Sequence, residues 1–275
     1  MMPYKLTDPE IESFHRDGFV IKNHFLTAKE VSSLLEIALN DAAVRENSYD
    51  LNDQTGKKTK LALWFTPGDD AFGLLSRSER MVNAARDLLD GDAPVCHFHS
   101  KLMQKEPRVG GAWEWHQDYG YWYKNEFLFP DQMFSVMVAL TPATRENGCL
   151  QVIRGSHKMG RVEHGFAGEQ VGASQHYVDL ALKTMSLVYV ALEPGDALFF
   201  HSNLLHRSAA NLSDSARWSL ISVYNRASNV AYNDHSTSST VPIDTVPDDA
   251  LLTAAKGTLG GNASFLSKDK DVSLK

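Results

Sequence analysis

Cysteine is nearly absent: Cys96 and Cys149 are the two in 275 residues. Two thiols exclude a disulfide framework and are the bare minimum for a structural zinc site, which usually takes two to four thiolates, so none is expected. A reducing compartment, the cytoplasm, is the expectation. Positive charge is also short, with Lys and Arg numbering 27 against 34 Asp and Glu, a formal net charge of -7. That balance speaks against a dedicated nucleic-acid binder. No apolar run approaches the roughly 20 residues of a membrane-spanning helix. The first residues, Met1-Met2-Pro3-Tyr4-Lys5-Leu6, lack a basic stretch followed by an apolar one, so no signal peptide is expected. Internal repeats and low-complexity tracts are missing as well. What is present is an ordinary globular composition, 43% hydrophobic and 22% charged, at a length that supports a sizeable core.

The first third carries helix signals. Thr7, Pro9 and Glu10 form a capping pattern for a helix that stops at Gly18, and Phe19-Val20-Ile21 reads as a short strand. Thr27-Ala28-Lys29-Glu30 is a second capping box, ahead of Val31, Leu34, Leu35, Ile37 and Ala38 at helical spacing. Residues 45–60 are polar and read as a mobile loop, and a third helix is expected over about Ser78 to Leu89, ending at Gly91. After Pro94 the pattern turns to strands: Val95 to Gln104, Met133 to Leu140, Leu150 to Ile153, Ser186 to Leu192, Ala197 to Phe200 and Trp218 to Tyr224. Many short strands with Gly, Pro, Asn and Asp between them predict a sandwich or barrel. The tail from Ser228 reads as loop, with a short helix near Pro247 to Lys256. The expectation is one domain spanning 1–275: a helical N-terminal part (about 1–93), a β core (about 94–226) and a loop-rich tail (about 227–275), mainly β with flanking helices.

Among eleven histidines, the most informative is His116 in Glu114-Trp115-His116-Gln117-Asp118. On a strand, positions i and i+2 face the same way, so His116 and Asp118 can point at one metal ion. A second histidine from a distant strand would complete a facial triad with open coordination positions, the arrangement of non-haem Fe(II) oxygenases. The plainer alternative is a surface strand with a local His–Asp hydrogen bond. Downstream, Pro194-Gly195-Asp196 turns into Ala197-Leu198-Phe199-Phe200 and on to His206. Arg217 follows eleven residues after His206 and enters the apolar strand Trp218 to Tyr224. An arginine there needs a partner, either a bidentate ligand carboxylate or an internal salt bridge to Asp196 or Asp214.

These motifs resemble the phytanoyl-CoA dioxygenase family of Fe(II)- and 2-oxoglutarate-dependent oxygenases. The resemblance rests on His116-Gln117-Asp118, on Glu146-Asn147-Gly148-Cys149-Leu150 through Arg154-Gly155-Ser156-His157, and on Gly195-Asp196 through His206-x-Ser208 to Arg217. It covers residues 95 to 226 well and the N-terminal helices more loosely through Phe14 to Val20. It implies a double-stranded β-helix core, jelly-roll and cupin-like, with His116, Asp118 and His206 as iron ligands. It also implies that Arg217 holds the distal carboxylate of 2-oxoglutarate and that the Ser208 hydroxyl supports it. The motifs look most like those of ectoine hydroxylase-like members through His99-Ser100-Lys101-Leu102-Met103-Gln104-Lys105. By that likeness Ser135 and Met103 belong near the co-substrate, and His99 and Trp122 near the substrate; Lys101 and Lys105 share the strand parity of His99, which puts Lys101 near the co-substrate and Lys105 near the substrate if that face lines the pocket. Met103 and His99 stand where those members have an Asn and a Gln, which speaks against ectoine as the substrate. The implied reaction hydroxylates a C–H bond, with 2-oxoglutarate and O2 as co-substrates and succinate and CO2 as products. A carboxylate at Asp118 favours hydroxylation over halogenation.

Other residues read as follows. His97 and His99 share a strand face and form a core or pocket wall. His201, five residues from His206, lies on the opposite face. Arg154, His157, Lys158, Arg161 and His164 read as a solvated loop or as a basic rim. Lysines facing the pocket need an anion, which hints at an acidic or zwitterionic substrate. The aromatic run Tyr119, Tyr121, Trp122 and Tyr123 reads either as core or as a substrate-facing wall with a lid in residues 119–132. An amino acid derivative, a small phosphonate or a specialised metabolite fits such a pocket. The chain is expected to act as a monomer or homodimer, without nucleic acid or membrane. Two alternatives stand beside the oxygenase: a cupin-like metal enzyme that does not use 2-oxoglutarate, and a non-catalytic binding protein on the same scaffold.

Overall fold

The computed structural model describes residues 4–233, 238–254 and 264–267. Helix α1 (Asp8–Asp17) starts where the Thr7 amide donates to Glu10 at 2.8 Å and ends at Gly18, whose φ of 85° closes the last turn. Strand β1 (Phe19–Lys22) follows, then α2 (Ala28–Asn40), opened by the Thr27–Glu30 capping box. Beyond α3 (Ala42–Asn47), residues 45–60 depart from the expected loop. They hold the end of α3 and most of a hairpin, β2 (Tyr49–Asn52) paired with β3 (Lys58–Trp64). Its turn is organised by Asp53, which accepts from the amides of Thr55, Lys57 and Ala112. The polar residues that suggested a loop are this turn and the outer face of the hairpin. Leu51, Leu61 and Leu63 point inward.

Helices α4 (Ala71–Ser76) and α5 (Glu79–Leu88) precede the long strand β4 (Val95–Lys105) and the short β5 (Trp113–His116). Then come α6 (Asp118–Trp122), β6 (Met133–Ala139), β7 (Leu150–Ile153), the hairpin β8 (His164–Ala167) and β9 (Gln170–Ala173), and α7 (Gln175–Thr184). Strands β10 (Leu187–Val190), β11 (Ala197–His201), β12 (His206–Ser208) and β13 (Arg217–Arg226) complete the core. The tail contributes α8 (Ala250–Thr253), and the expected helix there extends to residues 255 and 256, outside the described residues.

Among the described residues two antiparallel sheets form the core, beside the two-stranded β8–β9 hairpin. The larger has the order β1-β11-β6-β13-β4-β3-β2, the smaller β10-β7-β12-β5. Alternation along the central strands divides the core in two. Phe134, Val136, Val138, Phe199, Leu220 and Tyr224 pack under the helices. Met137, Leu198, Phe200 and Ile221 face the interior, where Leu150, Val152 and Leu204 meet them. This is the jelly-roll arrangement expected of a double-stranded β-helix. The space between the sheets, open toward the β2–β3 hairpin and α6, is where the conspicuous polar residues converge.

The pairing of β4 with β13 carries one irregularity, a register shift at Val223 and Tyr224, opposite His99 and His97. A bulge turns successive side chains out of strict alternation. His97 therefore lies on the helix side, bonded to Ser100 Oγ at 2.8 Å and to the Phe65 carbonyl at 3.1 Å. His99 faces the interior with Phe98. The expected sharing of one face by His97 and His99 does not hold.

Candidate metal centre and active site

Three buried side chains from three elements meet at one point: His116 at the end of β5, Asp118 at the start of α6 and His206 at the start of β12. Their ligand atoms all lie within 4.8 Å of one another. His116 Nε2 is 3.6 Å and His206 Nε2 3.8 Å from Asp118 Oδ1. The pairing is not the i, i+2 geometry of one continuous strand, because β5 ends at His116 and the chain turns into a helix at Asp118. The two histidines are cross-strand neighbours, paired in the antiparallel register of β5 and β12.

Each imidazole is held in one tautomer. His116 Nδ1–H donates to the Glu114 carbonyl at 2.7 Å, and His206 Nδ1–H to the Leu204 carbonyl at 2.9 Å. Both Nε2 lone pairs are thereby left to face the common point, the orientation metal-ligating histidines show. Burial pushes the His206 pKa down to about 3, and the neighbouring His116 adds to it, so the ring is neutral and able to ligate. For Asp118, desolvation works to raise the pKa. Lys101 and the two histidines outweigh it and hold the carboxyl far below the usual carboxylate range. Two imidazole nitrogens and one carboxylate on one face match a ferrous facial triad.

A second layer fixes this set. Ser135 Oγ donates to Asp118 Oδ2 at 2.5 Å, and Ser135 lines neither chamber of the site. Gln117, between His116 and Asp118, is fully buried. It donates to the carbonyls of Gly160 and Asn203, each at 2.7 Å, and accepts from the Val162 amide at 2.8 Å. The Gln117 amide donates to His164 Nε2 at 3.0 Å. His164, read above as part of a solvated loop or rim, thus packs behind the metal motif, and Arg161 stacks over Tyr123 at 4.1 Å. Sequence reasoning passed over Gln117. Its contacts span more than 40 residues, and a residue between His116 and Asp118 bears no periodic signal.

The interior beside the triad divides into two chambers. The inner is lined by Lys101, Met103, Trp113, Met137, Leu150, Phe200, Ser208, Arg217 and Ile221. Arg217 is only 4% exposed. Its Nη1 donates to the Gly148 carbonyl, while its Nε has no partner among the described residues. Burial lowers its pKa to about 10. Neither Asp196 nor Asp214 pairs with it: Asp196 accepts from the amides of His24 and Glu193, and Asp214 pairs with Arg108. A planar cation with donor capacity to spare, at the end of an apolar chamber, fits a carboxylate.

The outer chamber is lined by Tyr49, Leu51, Phe65, Phe98, His99, Lys101, Tyr121, Trp122 and Asn125, among others. Lys101 reaches both chambers and lies 5.9 Å over the Trp113 ring. His99 is enclosed by Phe98 and Trp122, with centroids at 4.6 and 5.8 Å. Lys105 lines neither chamber: it is fully buried, with Nζ 2.6 Å from the carbonyls of Gly111 and Ala209 and 3.3 Å from that of Ser208. The segment 119–132 forms a wall tethered along its length. Tyr119 donates to the Phe127 carbonyl at 2.6 Å, the amides of Leu128 and Phe129 donate to Asn229, and Ser202 donates to the Pro130 carbonyl at 2.8 Å. His201 sits apart, 3.0 Å from Asp131 on the other face of β11. His157 is bonded at 3.1 Å to the His15 carbonyl.

Comparison with known proteins agrees with this geometry. The model of the phytanoyl-CoA dioxygenase family matches residues 14–219. The chain is 28% identical over 232 residues to an L-proline trans-4-hydroxylase of Streptomyces griseoviridis, covering 78% of this chain and 85% of that protein. It is 27% identical over 247 residues to an ectoine dioxygenase of Streptomyces coelicolor, covering 83% and 81%. Among solved structures, EctD from S. alaskensis with bound Fe superposes with a TM-score of 0.66 at 21% identity, covering 88% of each chain. SnoK, an alpha ketoglutarate dependent carbocyclase from nogalamycin biosynthesis, gives 0.65 at 18% identity, covering 97% of this chain and all of that one. With the triad, the inner arginine and the jelly roll in place, the chain belongs to the phytanoyl-CoA dioxygenase family of Fe(II)/2-oxoglutarate-dependent oxygenases.

Proposed function

We propose that this protein hydroxylates an unactivated C–H bond of a small organic molecule, with 2-oxoglutarate and O2 as co-substrates and succinate and CO2 as products. The observation that carries the proposal is the convergence of His116, Asp118 and His206 beside a chamber that ends in the buried Arg217. His116, Asp118 and His206 would hold Fe(II), which would supply a redox-active Lewis acid for the chemistry of the 2-oxo acid and oxygen. The protein's own residues do the rest. Arg217 grips the distal carboxylate of 2-oxoglutarate, with the Ser208 hydroxyl beside it. Met103, Met137, Leu150, Phe200 and Ile221 keep water from that ion pair, which strengthens it. The tautomers fixed by Glu114 and Leu204 and the hydrogen bond from Ser135 hold the ligand set in place.

The substrate occupies the outer chamber. Trp122 and Phe98 pack against its body, and Lys101 and Asn125 supply polar contacts. An amino acid derivative, a small phosphonate or a specialised metabolite suits these walls. L-Proline and ectoine are the substrates named for the relatives, and His99 and Met103 speak against ectoine here. The two unpaired, buried cysteines fit a cytoplasmic enzyme.

The test is an anaerobic titration of the Fe(II)-loaded protein with 2-oxoglutarate, followed by a screen of small molecules for coupled succinate production. A weak visible charge-transfer band is expected, and it disappears in His206→Ala. Metal binding without any such band would instead support a metal enzyme that does not use 2-oxoglutarate.

A further inference from the structure

Lys105, expected near the substrate, lines neither chamber and has no part in the proposed function. It is the last residue of β4, it pairs in register with Arg217, the first residue of β13, and it is fully buried. Its Nζ meets three carbonyl oxygens, those of Gly111, Ala209 and Ser208. An ammonium has three donors and no acceptor, so three acceptors and no donor around it select the protonated form. No carboxylate among the described residues lies within ion-pair distance of it. Burial and the nearby Arg217 both work against its charge, so the carbonyl clamp holds a cation against two opposing influences.

The clamp joins three segments: the loop before β5, the end of β12 that carries Ser208, and the end of β4 facing Arg217. Gly110 makes the loop's approach possible, because a Cβ there would come within 2.9 Å of the Lys105 side chain. We propose that Lys105 is a positioning residue for the co-substrate: its ammonium fixes the backbone of Ser208 and places a second buried positive charge behind Arg217, so that the inner chamber selects a 2-oxo acid with a charged distal end. The proposal rests on 2-oxoglutarate being the occupant of that chamber. Two buried cations, on one of which Asp53 and Glu114 act only from beyond ion-pair distance, favour an anion more than one does, because charges interact strongly in a dry interior.

The experiment compares two ligands that differ at that end, 2-oxoglutarate and 2-oxopentanoate, which has a methyl in place of the distal carboxylate. Dissociation constants are measured anaerobically on the Fe(II)-loaded wild type, Lys105→Met and Lys105→Gln, by calorimetry and by the visible band. In both variants the Kd for 2-oxoglutarate is expected to rise about tenfold, the equivalent of roughly 1.4 kcal/mol. That for 2-oxopentanoate should change by less than about twofold, and Fe(II) affinity should hold. A merely structural role would weaken both ligands alike, and that result overturns the proposal, as do unchanged constants. If neither variant folds, Lys105 is a residue of the fold and the positioning role is refuted. Should the wild type itself fail to bind 2-oxoglutarate, the oxygenase reading fails first.

Discussion

Replacing Arg217 by Met should make the ligand-free protein no less stable while abolishing most of its affinity for 2-oxoglutarate. The perturbation removes the guanidinium and keeps an unbranched side chain of comparable reach. In the folded chain that guanidinium is 4% exposed, bonded to one carbonyl, with its Nε unpartnered. Burial pulls its pKa down to about 10, so folding bears a desolvation cost that internal partners do not offset. Exchanging under-compensated buried charge for apolar volume is often neutral or stabilising by about 1–4 kcal/mol. The co-substrate side has the opposite sign. Truncating one member of a buried, hydrogen-bonded charge pair costs about 2–5 kcal/mol, which at about 1.4 kcal/mol per decade raises the Kd between about 30-fold and several thousandfold.

Thermal melting of the Fe(II)-loaded protein under anaerobic conditions reads both effects together. At a 2-oxoglutarate concentration of 100 Kd, the wild type gains about 2.7 kcal/mol, a rise in Tm of about 5–10 °C for a chain near this size. A variant with hundredfold weaker binding gains about 0.4 kcal/mol at the same concentration, roughly 1 °C. If Arg217→Met melts well below wild type without co-substrate and yet keeps the full shift with it, the placement of the distal carboxylate on Arg217 is wrong.

Two further predictions test the support of the site and the polar interior. Ser135→Ala removes the donor on Asp118 Oδ2 and should weaken Fe(II) binding about 10- to 100-fold, with the metal-free melting temperature little changed; a metal titration that matches wild type would refute this. His97 is 1% exposed and burial lowers its pKa to about 4. The unfolded chain therefore binds a proton between about pH 6.5 and pH 4 that the native state refuses. Stability contributed by the neutral ring is complete above pH 6.5 and is lost as the pH falls toward 4. Urea unfolding of the metal-free protein at pH 7.5 and 5.0 should show that decline, and His97→Gln should make it shallower. Equal declines in the two proteins would show that His97 is not among its causes.

The residues that could be read directly are those whose signal is local. Thr7 with Glu10 and Thr27 with Glu30 act across three residues, and both helices start where those boxes predict. Strand alternation is equally local, and it puts Lys101 toward the interior, as the family likeness does Met103. His116, Asp118 and His206 were legible from spacing together with the family resemblance, because donors on short strands next to marked turns leave a recognisable pattern. Residues whose role depends on distant partners were illegible. Lys105 looked like a pocket lysine by parity from His99, yet its ammonium finds carbonyls more than 100 residues away. Ser135 looked like a co-substrate neighbour, and its hydroxyl goes to Asp118.

Composition and local pattern by themselves determined a globular β-rich chain with capped N-terminal helices and a candidate His-x-Asp metal pair. Only the tertiary structure decided which side chains face which cavity. A single register shift opposite His97 and His99 moves one histidine into the helix-side core and leaves the other in the pocket. Residues 49–64 became a pocket-lining hairpin because Leu51, Leu61 and Leu63 had a core to enter. The physical reason is the same in each case. Parity and capping act over two to four residues, whereas a buried charge or hydroxyl is placed by whichever partner the folded chain brings within about 3 Å, and no local rule can name that partner in advance.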